Sequence, residues 1–101
     1  MGKMRVWLDD VRPMPPDFHV HCTCADECID LLSGGDCTHI SFDHDLGADV
    51  CGTGYDVAKW VEEQAYNGVR VVDTYAVHSA NPVGVRNILF AMQNAERMLM
   101  G

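Results

Sequence analysis

The stretch His39-Ile40-Ser41-Phe42-Asp43-His44-Asp45-Leu46-Gly47 decides the fold. A short, largely apolar run stops abruptly at three polar residues and then a glycine. Such a run is too brief for a helix and reads as a buried strand entering a loop at its C-terminal end. The same pattern recurs on either side. Upstream, Arg5-Val6-Trp7-Leu8 runs into Asp9-Asp10; downstream, Thr74-Tyr75-Ala76-Val77 runs into His78-Ser79-Ala80-Asn81-Pro82. A further strand is predicted over Phe18 to Thr23. Its alternation puts Phe18, Val20 and Cys22 on the buried face and His19, His21 and Thr23 on the other.

Helical patterns lie between these strands. Thr23 or Cys24 opens a helix whose apolar stripe is Cys28, Ile29, Leu31 and Leu32, stopped by Gly34-Gly35. Tyr55 to Ala65 carries Val57, Ala58, Trp60 and Val61 inward and ends near Asn67-Gly68. A last helix starts near Pro82, where proline suits a first turn, and runs to about Met98. In it Met92 is assigned to the core, and Met98, Leu99 and Met100 to a fraying end. Strands alternating with helices imply right-handed crossovers and a parallel sheet. The first connection differs, because residues 11–17 contain Pro13, Pro15 and Pro16 and are too few for a crossover helix. Either this segment returns extended across one face, or the second strand pairs antiparallel as a hairpin. The extended return is the preferred reading.

The 101 residues suffice for one domain, taken as 1–101, and 48% of them are hydrophobic, a globular proportion. No apolar run approaches the roughly 20 residues of a membrane helix, and Met1 to Arg5 lacks the apolar core of a signal peptide. A cytoplasmic location is therefore expected. The five cysteines are an odd count in a chain without an export signal, which argues against a disulfide framework. The segment from His19 to Cys24 has the composition of a zinc site, but alternation points its cysteines away from its histidines. The net charge of −8 opposes non-specific DNA binding, which needs lysine and arginine to displace counterions. Within the acidic excess, eleven Asp stand against four Glu, a bias toward turns, caps and metal ligands.

In a parallel sheet the strand ends carrying Asp9-Asp10, Asp43-His44-Asp45 and His78-Ser79-Ala80-Asn81 share one edge, where such folds bind ligands. Carboxylates gathered there repel one another unless a cation offsets them. Oxygen donors without a matching lysine favour a hard divalent cation: Mg²⁺ first, with Mn²⁺ or Ca²⁺ as alternatives. Asp9, Asp10, Asp43 and Asp45 are the candidate ligands. An Asp at a strand end is ordinarily a turn or cap residue, and the repetition over three strands is what weighs against that reading. His44 and His78 are candidate proton donors beside the acidic cluster, set against the commoner use of a histidine as a structural hydrogen-bonding group. Arg12 and Arg86 are candidate phosphate ligands, with plain solvation the stronger reading for Arg86.

These blocks resemble the receiver domain of two-component signalling. Asp9-Asp10 is similar to its acidic pair, Asp43 to its phospho-accepting aspartate, Thr53-Gly54-Tyr55-Asp56 to the turn opening its next helix, and Ser79-Ala80 to its Thr/Ser-Ala pair. The fuller strings Leu8-Asp9-Asp10-Val11-Arg12-Pro13, Asp43-His44-Asp45-Leu46-Gly47 and His78-Ser79-Ala80-Asn81-Pro82 more closely resemble the cyclic-phosphate processing receiver-like domain of phages and bacteria. The resemblance implies an α/β, flavodoxin-like three-layer sandwich. Its four-stranded, mostly parallel sheet has the order 2-1-3-4 and lacks the receiver's first helix and fifth strand.

The same resemblance implies a metal-dependent phosphoesterase acting on cyclic or terminal phosphates of nucleotides or RNA, in an RNA-repair context. The expected substrate is a phosphate-bearing small molecule or an RNA end. Asp43 attacks phosphorus or activates a water, His44 or His78 protonates the leaving oxygen, and Arg12, Ser79 and Asn81 bind phosphate oxygens. The alternative is a non-catalytic or phospho-accepting module that binds a protein partner.

Overall fold

The computed structural model describes residues 4–47 and 49–100. Strands β1 (Met4–Leu8), β2 (Val20–Cys22), β3 (Cys37–Phe42) and β4 (Thr74–Val77) form one sheet of order β2-β1-β3-β4, every neighbouring pair parallel. The expected order and the extended return into β2 are both present. Helices α1 (Ala25–Leu32) and α2 (Gly54–Tyr66) provide the crossovers into β3 and β4, and α3 (Pro82–Met100) follows β4.

Strand alternation divides the chemistry between the two faces of the sheet. Val6, Leu8, Cys22, Ile40 and Phe42 point to one face and are almost wholly buried. Cys28 and Leu32 of α1, Val57, Ala58 and Val61 of α2, and Ile88, Ala91 and Met92 of α3 close onto the same cluster. Each large apolar side chain buried there contributes about 1.5–3 kcal/mol. Capping chemistry fixes where α2 begins. Thr53 Oγ1 accepts from the Asp56 N–H at 3.2 Å, while Asp56 Oδ2 accepts from the Thr53 N–H at 2.9 Å, a reciprocal box that starts α2.

The opposite face carries Arg5, Trp7, His39 and Ser41. The third layer expected over it is thin, formed by the extended, proline-containing strap that links β1 to β2. The Trp7 Nε1–H donates to the Arg12 carbonyl at 3.2 Å, and the Phe18 ring stands edge-on to Trp7 with centroids 5.2 Å apart. The Arg5 guanidinium lies 4.8 Å from the Phe18 ring centroid.

Three details differ from expectation, and the two histidines near β2 keep to the non-zinc reading. Phe18 sits on this second face rather than in the helix-side core, because the Phe18 N–H bonds back to the Pro15 carbonyl and breaks the alternation before β2 begins. The first strand starts a residue earlier and the third at Cys37, and α3 continues to Met100. His19 and His21 tie β2 to β1 as hydrogen-bonding groups. His19 Nδ1 accepts from the Arg5 N–H at 3.0 Å and the His21 Nε2–H donates to the Asp9 carbonyl at 2.7 Å. Finally, although no disulfide framework was expected, one pair is present: Cys24, which precedes α1, pairs with Cys51 in the 3₁₀ turn Asp49–Cys51, their Cα atoms 4.5 Å apart. The turn folds back onto the N-cap residue of α1, an approach across 27 residues of chain that counting cysteines does not reveal. Cys22, Cys28 and Cys37 are free and buried.

His39 gives this face a pH dependence. Burial lowers its pKa, the nearby Arg5 lowers it further, and Asp17 only partly offsets them. The unfolded chain therefore binds the proton more readily than the folded one as pH falls below about 6.5. Stability from this group is present above that value and is lost on acidification through the lower folded value. We expect the thermal midpoint, followed by circular dichroism, to drop between pH 7 and pH 5, and the drop to be shallower in His39→Gln. Equal slopes in the two proteins would contradict this assignment.

Candidate functional site

The parallel ladder continues one residue past each of three strands. The Asp9 N–H bonds the Cys22 carbonyl at 3.0 Å, the Asp43 N–H bonds the Leu8 carbonyl at 2.8 Å, and the His78 N–H bonds the Phe42 carbonyl at 2.9 Å. Asp9, Asp43 and His78 are thus placed by the sheet itself rather than by free loops, which fixes their side chains with strand precision.

Carboxylate oxygens of Asp9, Asp10 and Asp43 lie within 4.8 Å of one another. Asp9 is 0% exposed and fully engaged. Its Oδ1 accepts the Val11 and Arg12 backbone N–H groups at 2.8 and 2.9 Å, and its Oδ2 accepts from His78 Nε2 at 2.9 Å. The Arg12 guanidinium stands 3.7 Å from the same oxygen. Burial alone would raise the Asp9 pKa, but these donors outweigh it and hold the carboxyl below its usual range. Asp10 is exposed. Gly47, at φ +81°, turns the 45–47 loop so close to it that a Cβ there would lie 2.6 Å from Asp10 Oδ2. Asp43 Oδ1 accepts the His44 N–H at 2.8 Å.

Asp45, the fourth predicted ligand, stands apart from this trio. It is exposed, its Oδ1 lies 3.0 Å from His44 Nδ1, and its Oδ2 is 3.5 Å from Asn81 Nδ2. The His44 hydrogen bond is the main reason its pKa is lowered, against a small opposing effect of burial.

The trio opens into a cleft of about 380 Å³ lined by Asp9, Asp10, Asp43, Asp45, Arg12 and Ala80, with Val11 on its rim. A larger groove of about 650 Å³ runs along α2 beside Trp60, Tyr66 and Met98. That groove contains none of the strand-end residues, so the smaller cleft is where the chemistry is gathered.

The other predicted residues take differing places. The His78 ring is held on three sides: Nε2 by Asp9, Nδ1 by Ser41 Oγ at 2.7 Å, and one face by Trp7, stacked 3.8 Å away at 2°. Burial pushes its pKa down, and the Asp9 carboxylate only partly restores it. His44 is tucked beneath the first turn of α3. A side chain on Gly84 would collide with its ring. Its Nδ1 is tied to Asp45, which orients the remaining nitrogen. Ser79 Oγ accepts the Asn81 N–H and Asn81 Oδ1 accepts the Gly84 N–H, each at 3.0 Å. These are turn and cap bonds that start α3, and neither residue lines the cleft. Arg12 NH1 donates to the His78 carbonyl at 2.7 Å, whereas Arg86 is exposed on α3.

Sequence reading passed over Ser41, Trp7 and the two close-approach glycines. Ser41 had left a sign, since a hydroxyl on a buried strand needs a partner nearby.

An acidic pair after the first strand of a parallel sheet, with a third aspartate opposite it after β3, defines a receiver-type site at the sheet's C-terminal edge. The chain belongs to the cyclic-phosphate processing receiver domain family, whose sequence model matches residues 4–94. That membership places the chain in a phosphate-processing context. No curated protein and no solved structure matches it.

The fit of His44 beneath α3 is testable. Gly84→Ala must displace either the ring or the helix and is expected to cost about 1–3 kcal/mol of stability, the usual range for overpacking. Urea denaturation measures it, and a variant as stable as wild type would show that His44 is not held in this way.

Proposed function

We propose that this domain is a metal-dependent phosphoesterase that opens cyclic phosphates or removes terminal phosphates of nucleotides or RNA ends. The observation that carries the reading is the convergence of Asp9, Asp10 and Asp43 within 4.8 Å in an open cleft that also holds Arg12. The donor set suits a hard cation: all oxygen, negatively charged, and offset on the cleft wall by the Arg12 guanidinium alone among the described lining residues. Asp10 and Asp43 would be the principal ligands of Mg²⁺, with Mn²⁺ or Ca²⁺ as substitutes, and Asp9 would support them from behind.

When bound there, the cation offsets the charge of a phosphate oxygen and of the transition state. The protein's own groups supply the rest. Arg12 keeps guanidinium N–H groups beyond the one spent on the His78 carbonyl, and these bind phosphate oxygens. Asp43 has one oxygen fixed by the His44 N–H, and its other oxygen accepts a proton from the attacking water. His44, which stands behind the cleft-lining Asp45 and is tied to it through Nδ1, would as the imidazolium donate the Nε2 proton to the leaving ribose oxygen. Of the two histidines it suits this role better, because both nitrogens of His78 are engaged. For a 2′,3′-cyclic phosphate the net change is addition of one water, with cleavage of one P–O ester bond.

Calorimetric titration with Mg²⁺ and Mn²⁺ tests the reading. Wild type is expected to bind saturably and Asp43→Asn to lose that binding. A nucleoside 2′,3′-cyclic phosphate is then expected to be hydrolysed by wild type and not by His44→Ala. No binding at millimolar metal would remove the proposal and favour a module that acts by binding a protein partner.

A further inference from the structure

We infer that Ser41 and Trp7 are positioning residues of the acidic cleft, acting on Asp9 through His78; the inference rests on the metal-binding reading above. His78 was expected to be a candidate proton donor. Its surroundings point elsewhere. The ring is held in place by a stack on Trp7 at 3.8 Å and 2° and by the 2.7 Å bond between Nδ1 and Ser41 Oγ. A neutral imidazole has one donor and one acceptor nitrogen. Asp9 Oδ2, a carboxylate oxygen, requires the donor at Nε2, and the Ser41 hydroxyl then donates to Nδ1. Asp9 thereby fixes the tautomer, and Ser41, bonded to Nδ1, holds the ring in the orientation that presents N–H to Asp9. Ser41 itself is 4% exposed and cannot meet a substrate, so the Asp9–His78–Ser41 chain is not a nucleophilic triad.

The consequence reaches the cleft. Asp9 and Asp10 are consecutive, and the turn that aims Asp10 is built on Asp9 Oδ1 holding the Val11 and Arg12 N–H groups. The loop is closed on the far side, where Arg12 NH1 donates to the His78 carbonyl at 2.7 Å and the Trp7 Nε1–H donates to the Arg12 carbonyl at 3.2 Å. Trp7, Ser41 and His78 thus set the orientation of Asp9, and through it the direction of Asp10 and Arg12. Residues that orient metal ligands in this way influence affinity without touching the ion.

Mg²⁺ calorimetry on wild type, Ser41→Ala, His78→Ala and His78→Gln tests the inference, with thermal melts to confirm folding. Glutamine retains an amide N–H that reaches Asp9 but carries no titratable proton. Ser41→Ala and His78→Ala are expected to weaken Mg²⁺ binding about 10- to 100-fold, with His78→Gln close to wild type. Wild-type affinity in both alanine variants would overturn the positioning role and leave the metal site standing. Affinity in His78→Gln as poor as in His78→Ala would overturn it as well. Absence of Mg²⁺ binding in wild type would remove both the inference and the reading beneath it. If His78→Ala fails to fold, Ser41→Ala against wild type decides the question.

Discussion

The carboxylate of Asp9 is the constraint around which the rest is arranged. An ionised carboxylate removed from water costs several kcal/mol unless its lone pairs are met. Here two backbone amides and one imidazole meet them, with a guanidinium close by. Those partners come from both ends of the chain: the β1 loop supplies two and the β4 loop supplies the histidine. Satisfying one buried charge therefore joins the two loops that bound the cleft. The outer two aspartates stand apart from these donors: Asp43 has one oxygen held by the His44 N–H, and Asp10 is exposed.

The sheet gives this arrangement its stiffness unequally on its two sides. On the helix side, Val6, Leu8, Ile40 and Phe42 pack at full burial against three helices. On the other side the layer is a strap, and the sheet is kept dry by aromatic and imidazole rings: Trp7, Phe18, His39 and His78. Hydrophobic burial stabilises the first face, whereas stacking and directed hydrogen bonds order the second. The network on Asp9 lies on the second face. The groups that organise the cleft thus belong to the layer where the chain had no helix to offer.

How far the sequence foretold this follows from the kind of signal each element leaves. Short apolar runs ending in Asp9-Asp10, Asp43 and His78 were legible because burial and strand length are local properties. The sheet order came with the family resemblance, and the parallel return into β2 followed from three prolines in seven residues. Other features were not legible. Phe18 was assigned to the wrong face because one turn hydrogen bond to Pro15 shifts the parity of everything before Val20. The Cys24–Cys51 pairing needs the loop before α2 folded against α1. Ser79 and Asn81 have the same composition whether they bind phosphate or cap a helix, and only the bonds to Asn81 and Gly84 show the capping use. The histidines differ for a similar reason. His78 is the first residue past β4 and His44 the second past β3, and it is Ser41 and Trp7, remote in sequence, that hold the ring of His78 alone.

The cleft also depends on what is missing from two positions. Gly47 brings backbone against the Asp10 carboxylate, and Gly84 brings the first turn of α3 over the His44 ring. A Cβ at Gly84 would collide with the His44 ring, and one at Gly47 would lie 2.6 Å from the Asp10 carboxylate. Loops that carry chemistry are usually the mobile part of a fold. Here Gly47 and Gly84 bring the two walls onto Asp10 and His44, each one residue beyond a position, Asp9 or Asp43, that the ladder itself holds. Asp10 and His44 are then held by contact with neighbouring backbone, where Asp9 and His78 are held by hydrogen bonds. A cleft assembled by these two routes gathers three carboxylates within 4.8 Å of one another, and because hydrogen bonds already meet both oxygens of Asp9, the charge left for a cation to offset falls on Asp10 and Asp43.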